Sequence, residues 1–143
     1  MKDHPLSVIW EPGLEETAAV RQGLTQFGIE ALGGTPPKNL AVLLKSNQGR
    51  VIGGATGQAI LNHFYLQQLW IDATWRSQGY GSRVLRKVEQ AATESGCETV
   101  TLDTLNPKSM PFYEQHGYRA ISEITDFIPG FTRVFYKKRL TIS

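Results

Sequence analysis

A segment with two glycines, an arginine and a serine stands directly before an apolar-periodic run, and its residue types could hold an anion. Gly79 and Gly81 leave the main chain open to close approach, where a side chain would block it. A helix that begins here offers unpaired N–H groups and the positive end of its dipole. Arg76 adds a guanidinium fork that suits phosphate oxygens, and Ser82 adds a hydroxyl. The sequence therefore predicts a phosphate or pyrophosphate site.

Two well-known phosphate-binding patterns do not fit this segment. A Walker A loop needs Gly-x-x-x-x-Gly-Lys-Ser/Thr, and the sequence has no such run. The dinucleotide fingerprint needs a third glycine at the position where Val84 stands. By themselves, Gly79 and Gly81 are explained more simply by a tight strand-to-helix turn, so the nature of the ligand depends on the rest of the chain.

Apolar spacing predicts the elements on either side of this segment. Residues 63–72 are rich in aromatic and branched side chains and predict a strand. A helix with one apolar face follows the glycines and ends at Gly96, which suits a C-terminal cap. Residues 97–105 alternate apolar and polar side chains and predict the next strand. The helical face consists of Val84, Leu85, Val88, Ala91 and Ala92.

The remaining chain predicts a mixed sheet with helices, of α/β or α+β class. The expected elements are strands over 6–10, 40–45, 50–61, 118–128 and 131–140, and helices over 14–31 and within 109–117. Gly53, Gly54 and Gly57 lie inside one strand and suggest a bulge or the close approach of another backbone. The basic run 136–140 on the final strand suggests protection of an exposed sheet edge.

Composition and charge narrow the class of protein. The 143 residues suit a single domain, 1–143, and they are 41% hydrophobic. A net charge of +2 is too small for a nucleic-acid surface, which needs a concentrated basic face. The start of the chain has no apolar region of signal-peptide length, and no run approaches the roughly 18 apolar residues of a membrane span. We expect a cytoplasmic protein that binds neither nucleic acid nor membrane.

Neither metal nor disulfide chemistry is expected. His4, His63 and His116 are dispersed along the chain and lack metal-ligand spacing. Cys97 is the only cysteine, so no internal disulfide can form and a reducing compartment fits. Its position at the start of an apolar strand predicts a small buried hydrophobic residue.

A second pattern follows the strand 97–105 and adds to the glycine segment. Its residues are Asn106, Ser109, Phe112, Tyr113, Glu114, Gly117 and Tyr118. Together with the spacing Arg76-x-x-Gly79-x-Gly81, this pattern resembles the GNAT superfamily of coenzyme A-dependent N-acetyltransferases, and within it a group of small bacterial members. The resemblance is specific from about Leu69 to Tyr118, and elsewhere only the order of the elements matches.

The resemblance implies a fold and a co-substrate. The fold is a mixed, mostly antiparallel twisted sheet with flanking helices and a central parallel pair, strands 63–72 and 98–105, that splays apart. Acetyl-CoA is implied as the co-substrate in that splay, with no metal. A bulge in the first strand would leave backbone groups near Leu69, Trp70 and Ile71 free to pair with the pantetheine amides.

The resemblance also implies which residues hold the other parts of the coenzyme. Asn106 would hydrogen-bond the pantetheine arm, and Phe112 would pack against it. The pyrophosphate would reach Arg76 and the amides of the glycine segment. That segment consists of Ser77, Gln78, Gly79, Tyr80, Gly81 and Ser82.

The implied reaction is direct attack of a primary amine, on a small molecule or a peptide, upon the acetyl thioester. Tyr113 would act as the general acid that protonates the departing thiolate. A thiol pKa of about 8.5 against a tyrosine pKa of about 10 makes that proton transfer nearly balanced. The simpler alternative for Tyr113 is a packed aromatic ring whose hydroxyl bonds a neighbour.

The general base is unassigned, and this keeps a second function open. Many relatives carry a glutamate on the strand before the glycine turn, but here Gln67 and Gln68 stand there and neither can act as a base. Asp72 is close by but is better explained as a turn residue. Tyr113 favours an enzyme, whereas the glutamines mildly favour a non-catalytic acetyl-CoA-binding sensor on the same fold. A homodimer would follow from the habit of the family alone.

Overall fold

The computed structural model describes residues 3–141. The chain divides into two compact units, Met1–Pro36 and Pro37–Ser143, and each is described separately. The first unit contains helix α1, Leu14–Ala31. The second unit contains β1 (Lys38–Lys45), β2 (Val51–Ile60), β3 (His63–Ile71), α2 (Tyr80–Glu94), β4 (Thr99–Thr104), α3 (Met110–Gln115), β5 (Arg119–Ile128) and β6 (Phe131–Arg139).

The first unit confirms the predicted helix but not the predicted strand over residues 6–10. Helix α1 begins where Glu16 Oε1 accepts a hydrogen bond of 3.0 Å from the Gly13 N–H, which satisfies a donor at the helix start. Residues 6–10 form no strand. Among the described residues no strand pairs with this segment, and Leu6, Val8 and Trp10 are exposed, so no ladder or core holds it extended. The backbone then turns at Glu11, which has a φ of 55°.

The second unit is built on one six-stranded sheet of the order β1-β2-β3-β4-β6-β5. Every neighbouring pair is antiparallel except β3 and β4, which are parallel. That parallel pairing joins His63, Phe64 and Tyr65 to Thr99, Val100 and Thr101, and then stops. The predicted splay between the two central strands is therefore present, and the predicted α/β class is confirmed.

The glycines of β2 allow its close approach to β3. The register runs from Thr56 opposite Gln68 to Gly57 opposite Leu66, so Gln67 is the extra residue of a bulge in β3. A Cβ at Gly57 would overlap the ring of Phe64 and lie 2.6 Å from the Tyr65 carbonyl oxygen. The close backbone approach that the glycines suggest is confirmed, and the bulge in β3 is the one that the resemblance implies.

The core of the second unit lies between one face of the sheet and helices α2 and α3. The apolar face of α2 buries Val84, Leu85, Val88 and Ala92, which are four of the five residues that the periodicity singles out. Cys97 is 2% exposed, as its sequence position predicts. Within residues 3–141, no helix is both long enough and apolar enough to cross a bilayer.

The basic run 136–140 does not protect a sheet edge, so that prediction is wrong. Strand β6 lies between β4 and β5, and the edge strands are β1 and β5. The final strand enters the sheet beside β4 rather than outside β5, which sequence order alone does not indicate. Lys138 instead pairs with Glu89 of α2, with 2.9 Å between Nζ and Oε1.

Gly57→Ala should destabilise the fold, because the added methyl meets a ring and a carbonyl at once. Overpacking of this kind costs about 1–3 kcal/mol, and we expect the loss to lie in the upper part of that range. Urea or thermal unfolding measures it. Gln58→Ala, one position further along β2, is the control and should cost less than about 1 kcal/mol. Equal stability of the wild type and Gly57→Ala would contradict the close packing of β2 on β3.

Candidate active site

The splay between β3 and β4 opens a cleft of about 650 Å³. Four of the residues predicted from the sequence lie in its lining, namely Leu69, Trp70, Asn106 and Tyr113. The other predicted residues lie outside that lining: Ile71 at the end of β3, residues 76–82 before and at the start of α2, and Phe112 on α3. The predicted site thus consists of a cleft and a separate loop.

The loop between β3 and α2 presents a row of unpaired backbone donors. Asp72 caps a single 3₁₀ turn, Ala73–Trp75, by accepting a hydrogen bond of 3.2 Å from Thr74 N–H, so it is the turn residue that the sequence suggests. Gly79 then takes a left-handed φ of 86° at the N-cap of α2. Within residues 3–141, the N–H groups of residues 77–82 have no acceptor. Such a row of donors at a helix N-terminus suits an anion.

Arg76 ties this loop to the end of β3. Its Nε donates a hydrogen bond of 2.8 Å to the carbonyl oxygen of Ile71. One donor of the guanidinium is therefore used inside the protein. Of the donors that the sequence predicts for an anion, only those on the terminal nitrogens remain. The bond also restrains the side chain at the end of β3.

Gly81 is the point where the loop meets α3. A Cβ at Gly81 would lie 3.4 Å from two ring atoms of Phe112 and 4.0 Å from Ile71 Cγ1. Phe112 therefore packs close to the start of α2, and in the sequence it directly precedes Tyr113, the candidate general acid. Phe112 is not part of the cleft lining, but its contact with Gly81 connects the loop to the helix that carries Tyr113.

Asn106 follows β4 and uses one end of its side chain to shape the next turn. Its Oδ1 accepts a hydrogen bond of 3.0 Å from Lys108 N–H. The amide nitrogen of the side chain has no partner among the described residues and belongs to the cleft lining. Asn106 can therefore offer its side-chain N–H groups to a ligand, whereas its side-chain oxygen already accepts one hydrogen bond.

Tyr113 differs from its neighbouring tyrosines in having a free hydroxyl. Three tyrosines donate to carboxylates: Tyr65 to Asp103 at 2.9 Å, Tyr118 to Glu89 at 2.8 Å and Tyr136 to Glu114 at 3.2 Å. Tyr113 is 8% exposed, lines the cleft, and has no hydroxyl partner within residues 3–141. Burial raises its pKa above the ordinary value, so the phenol stays protonated.

Sequence reasoning missed one ionisable residue of the cleft, Asp103. It lies on β4, where the alternation of Thr99, Thr101 and Asp103 places polar side chains on one face, but a single carboxylate in such a row carries no functional signal. Its Oδ1 accepts from Tyr65, and its Oδ2 accepts a bond of 2.7 Å from Arg133 Nε. Burial, followed by the hydrogen bond to Asp103, raises the pKa of Tyr65.

The two glutamines do line the cleft, as their position on β3 predicts. Gln68 Oε1 accepts a hydrogen bond of 2.9 Å from Thr56 Oγ1, and Gln67 occupies the bulge. Neither amide can take a proton at neutral pH. Among the described residues, no cluster of three or more histidine, cysteine or acidic side chains comes together to hold a metal ion.

The sequence of residues 9–118 matches the Acetyltransferase (GNAT) family. The chain is 26% identical over 125 residues to Acetyltransferase Atu2258 of Agrobacterium fabrum (strain C58 / ATCC 33970). That alignment covers 87% of this chain and 91% of that protein. It is also 33% identical over 94 residues to Blasticidin-S acetyltransferase of Streptomyces morookaense. This second alignment covers 65% of this chain and 69% of that protein.

A solved structure agrees with these sequence matches. The crystal structure of an acetyltransferase from Bacillus cereus ATCC 14579 superimposes with a TM-score of 0.76 at 29% identity, over 94% of this chain and 98% of that one. The family match covers most of the chain, and the splayed parallel pair agrees with the fold that the sequence motifs imply. The chain belongs to the GNAT family and is an acetyl-CoA-dependent N-acetyltransferase.

Proposed function

We propose that this enzyme transfers the acetyl group to a primary amine of a small molecule or a peptide, with Tyr113 as general acid. The observation that carries the proposal is the free Tyr113 hydroxyl in the cleft, beside three tyrosines whose hydroxyls are used by carboxylates. The Streptomyces relative is a blasticidin-S acetyltransferase, which supports a small-molecule acceptor. The family match over 9–118 supports one catalytic domain, 1–143.

The pantetheine arm fits the splay. Within the described residues, the side of β3 that faces β4 has no strand partner beyond Tyr65. Backbone groups near residues 69–71, apart from the Ile71 carbonyl that Arg76 uses, would therefore be available to pantetheine amides in the manner of an added strand. Asn106 would donate its side-chain N–H to a pantetheine carbonyl, since its oxygen is turned to the Lys108 N–H and its amide nitrogen has no partner among the described residues. Phe112 would pack against the arm near Gly81.

The pyrophosphate fits the loop. The unpaired N–H groups of residues 77–82 would receive its oxygens, and Gly79 and Gly81 keep side chains out of the way. The terminal nitrogens of Arg76 and the hydroxyl of Ser82 would add donors. The positive end of the α2 dipole would favour the same negative charge.

The chemistry requires one bond to form and one to break. The amine nitrogen attacks the thioester carbonyl carbon, the C–N bond forms, and the C–S bond breaks with its electron pair going to sulfur. The substrate ammonium loses one proton to solvent before the attack, and the nitrogen loses a second proton to water after the C–N bond has formed. Tyr113 gives its hydroxyl proton to the thiolate, and the phenolate then takes a proton from solvent. The net products are an amide, a free thiol and one released proton.

Burial affects both partners of this proton transfer in the same direction. It raises the pKa of Tyr113, which by itself makes the phenol a weaker acid. It also disfavours the thiolate that forms in the same cleft, because any desolvated anion is penalised. The two effects act on the proton transfer in opposite directions.

Tyr113→Phe should lower kcat about 10²-fold or more while leaving acetyl-CoA affinity nearly unchanged, since only the proton donor is lost. Steady-state kinetics and coenzyme titration measure the two effects. Tyr118→Phe is the matched control, because it removes the hydroxyl of another buried tyrosine outside the cleft. It should lower the melting temperature but not kcat. An unchanged rate in Tyr113→Phe would show that another group or water protonates the thiolate.

The pH profile should rise and then stay level. Activity increases as the acceptor amine loses its proton. No decline is expected at any pH below about 10, because the pKa of Tyr113 lies above its ordinary value of 10.0. The measurement is kcat/KM from neutral to alkaline pH with a buffered primary amine. A descending limb between pH 8 and 9 would mean that an acid with a lower pKa carries the reaction.

Gly81→Val should weaken acetyl-CoA binding by about tenfold or more, because the branched side chain enters the phosphate loop and presses on Phe112. Gly81→Ala is the control, since its methyl group meets Phe112 at 3.4 Å and needs only a small adjustment. Melting curves with and without acetyl-CoA, with ATP and NAD as comparison ligands, report both folding and binding. Normal binding by a folded valine variant would place the phosphates elsewhere.

A further inference from the structure

Asp103 is the one charged side chain in the lining of the cleft within the described residues. All other polar groups there are neutral, namely Thr56, Gln67, Gln68, Thr104, Asn106, Ser109 and Tyr113. Arg133, the ion-pair partner of Asp103, does not belong to the lining. Of this ion pair, only the negative partner belongs to the cleft lining.

The Asp103 carboxylate is held in one orientation. Both contacts from Arg133 fall on Oδ2, at 2.7 Å from Nε and 2.5 Å from the terminal nitrogen. Oδ1 accepts the Tyr65 hydroxyl and, with two lone pairs, has room for one further donor. Arg133 is itself fixed, because its guanidinium lies 4.9 Å from the ring centre of Phe127 and 5.3 Å from that of Phe135.

We propose that Asp103 binds a second cationic group of the acceptor, so that the favoured substrates are diamines and related polycationic amines. This inference rests on the proposed transfer to a primary amine. Asp103 is assigned to a second positive group rather than to the reacting amine, because Arg133 and the Tyr65 hydroxyl already hold its carboxylate as a fixed acceptor, which suits a cation that keeps its proton. The acceptor must therefore carry its reacting nitrogen and another positive group, one near the thioester and one on Asp103.

The test compares acceptors that match in length and differ at one end. Putrescine and cadaverine carry a second ammonium, butylamine and pentylamine a methyl group, and 4-aminobutanoate and 5-aminopentanoate a carboxylate. Wild-type kcat/KM should favour at least one diamine by about tenfold or more over its alkylamine, as expected for a hydrogen bond between charged groups. Asp103→Asn should remove that preference, so that the ratio of diamine to alkylamine kcat/KM falls to about one.

Glu89→Gln is the matched control because Glu89 has nearly the same surroundings outside the cleft. Its side chain is 14% exposed, against 15% for Asp103. It accepts a tyrosine hydroxyl, from Tyr118 at 2.8 Å, and an ammonium, from Lys138 at 2.9 Å. Glu89→Gln should therefore carry a comparable cost in stability and keep the full preference for the diamine.

Three results would overturn the inference: equal rates for diamines and alkylamines, a preference for the aminocarboxylates, or a diamine preference that survives in Asp103→Asn. Binding is measured in parallel by melting of the coenzyme A-saturated protein with each compound. If no amine is acetylated although a diamine stabilises the wild type and not Asp103→Asn, the proposed transfer fails and the cation site stands. If no diamine stabilises the wild type, the cation site fails.

Discussion

The loss of pairing between β3 and β4 is the constraint on which the active site depends. Three residue pairs hold the parallel strands together, and beyond them the backbone polar groups on the facing sides have no strand partner. Such groups must be met by water or by a ligand. The bulge at Gln67 lies just past the last pair and turns β3 away from its neighbour. The cleft therefore exists because the hydrogen-bonded pairing of β3 and β4 stops after three residue pairs, and no additional loop is needed to form it.

Side-chain hydrogen bonds set Tyr113 apart from three other tyrosines of the second unit. Tyr65, Tyr118 and Tyr136 each donate to a carboxylate, which fixes their rings and satisfies their hydroxyls. Tyr113 lines the cleft, and its hydroxyl meets no protein acceptor among the described residues. Within the described residues Ser95 Oγ is the only fully buried side-chain polar atom without a partner, so the Tyr113 hydroxyl is not sealed in the core. A hydroxyl that the protein leaves unused at a cleft is available to a ligand, which supports a chemical role.

Local patterns predicted the fold better than they predicted the site. Helix α2 and the strands beside it follow from apolar spacing, because each buries one face against a single core. The position of β6 between β4 and β5 depends on pairing across the whole sheet, which no local pattern records. Residues 6–10 have the composition of a strand, but the backbone turns at Glu11 and Pro12.

Side chains whose role depends on distant partners were the hardest to predict. The alternation on β4 placed Asp103 on the polar face, but its meaning comes from Tyr65 and Arg133, which are far away in sequence. Likewise, Arg76 gives one donor to Ile71, which the spacing of the motif does not indicate. Motif spacing identified which segments carry the site. Tertiary contacts decide which hydrogen-bond donors and acceptors of each residue remain free for a ligand.

The contact between Gly81 and Phe112 limits what the glycine motif can tell about ancestry. Any side chain larger than a methyl group at position 81 would displace the ring that packs on the start of α2, whether or not a nucleotide ever occupies the loop. Selection for folding alone is therefore enough to keep a residue no larger than alanine at this position. A descendant that had lost its co-substrate would still carry a small residue here, so a small residue at position 81 records the architecture of the domain more faithfully than its activity.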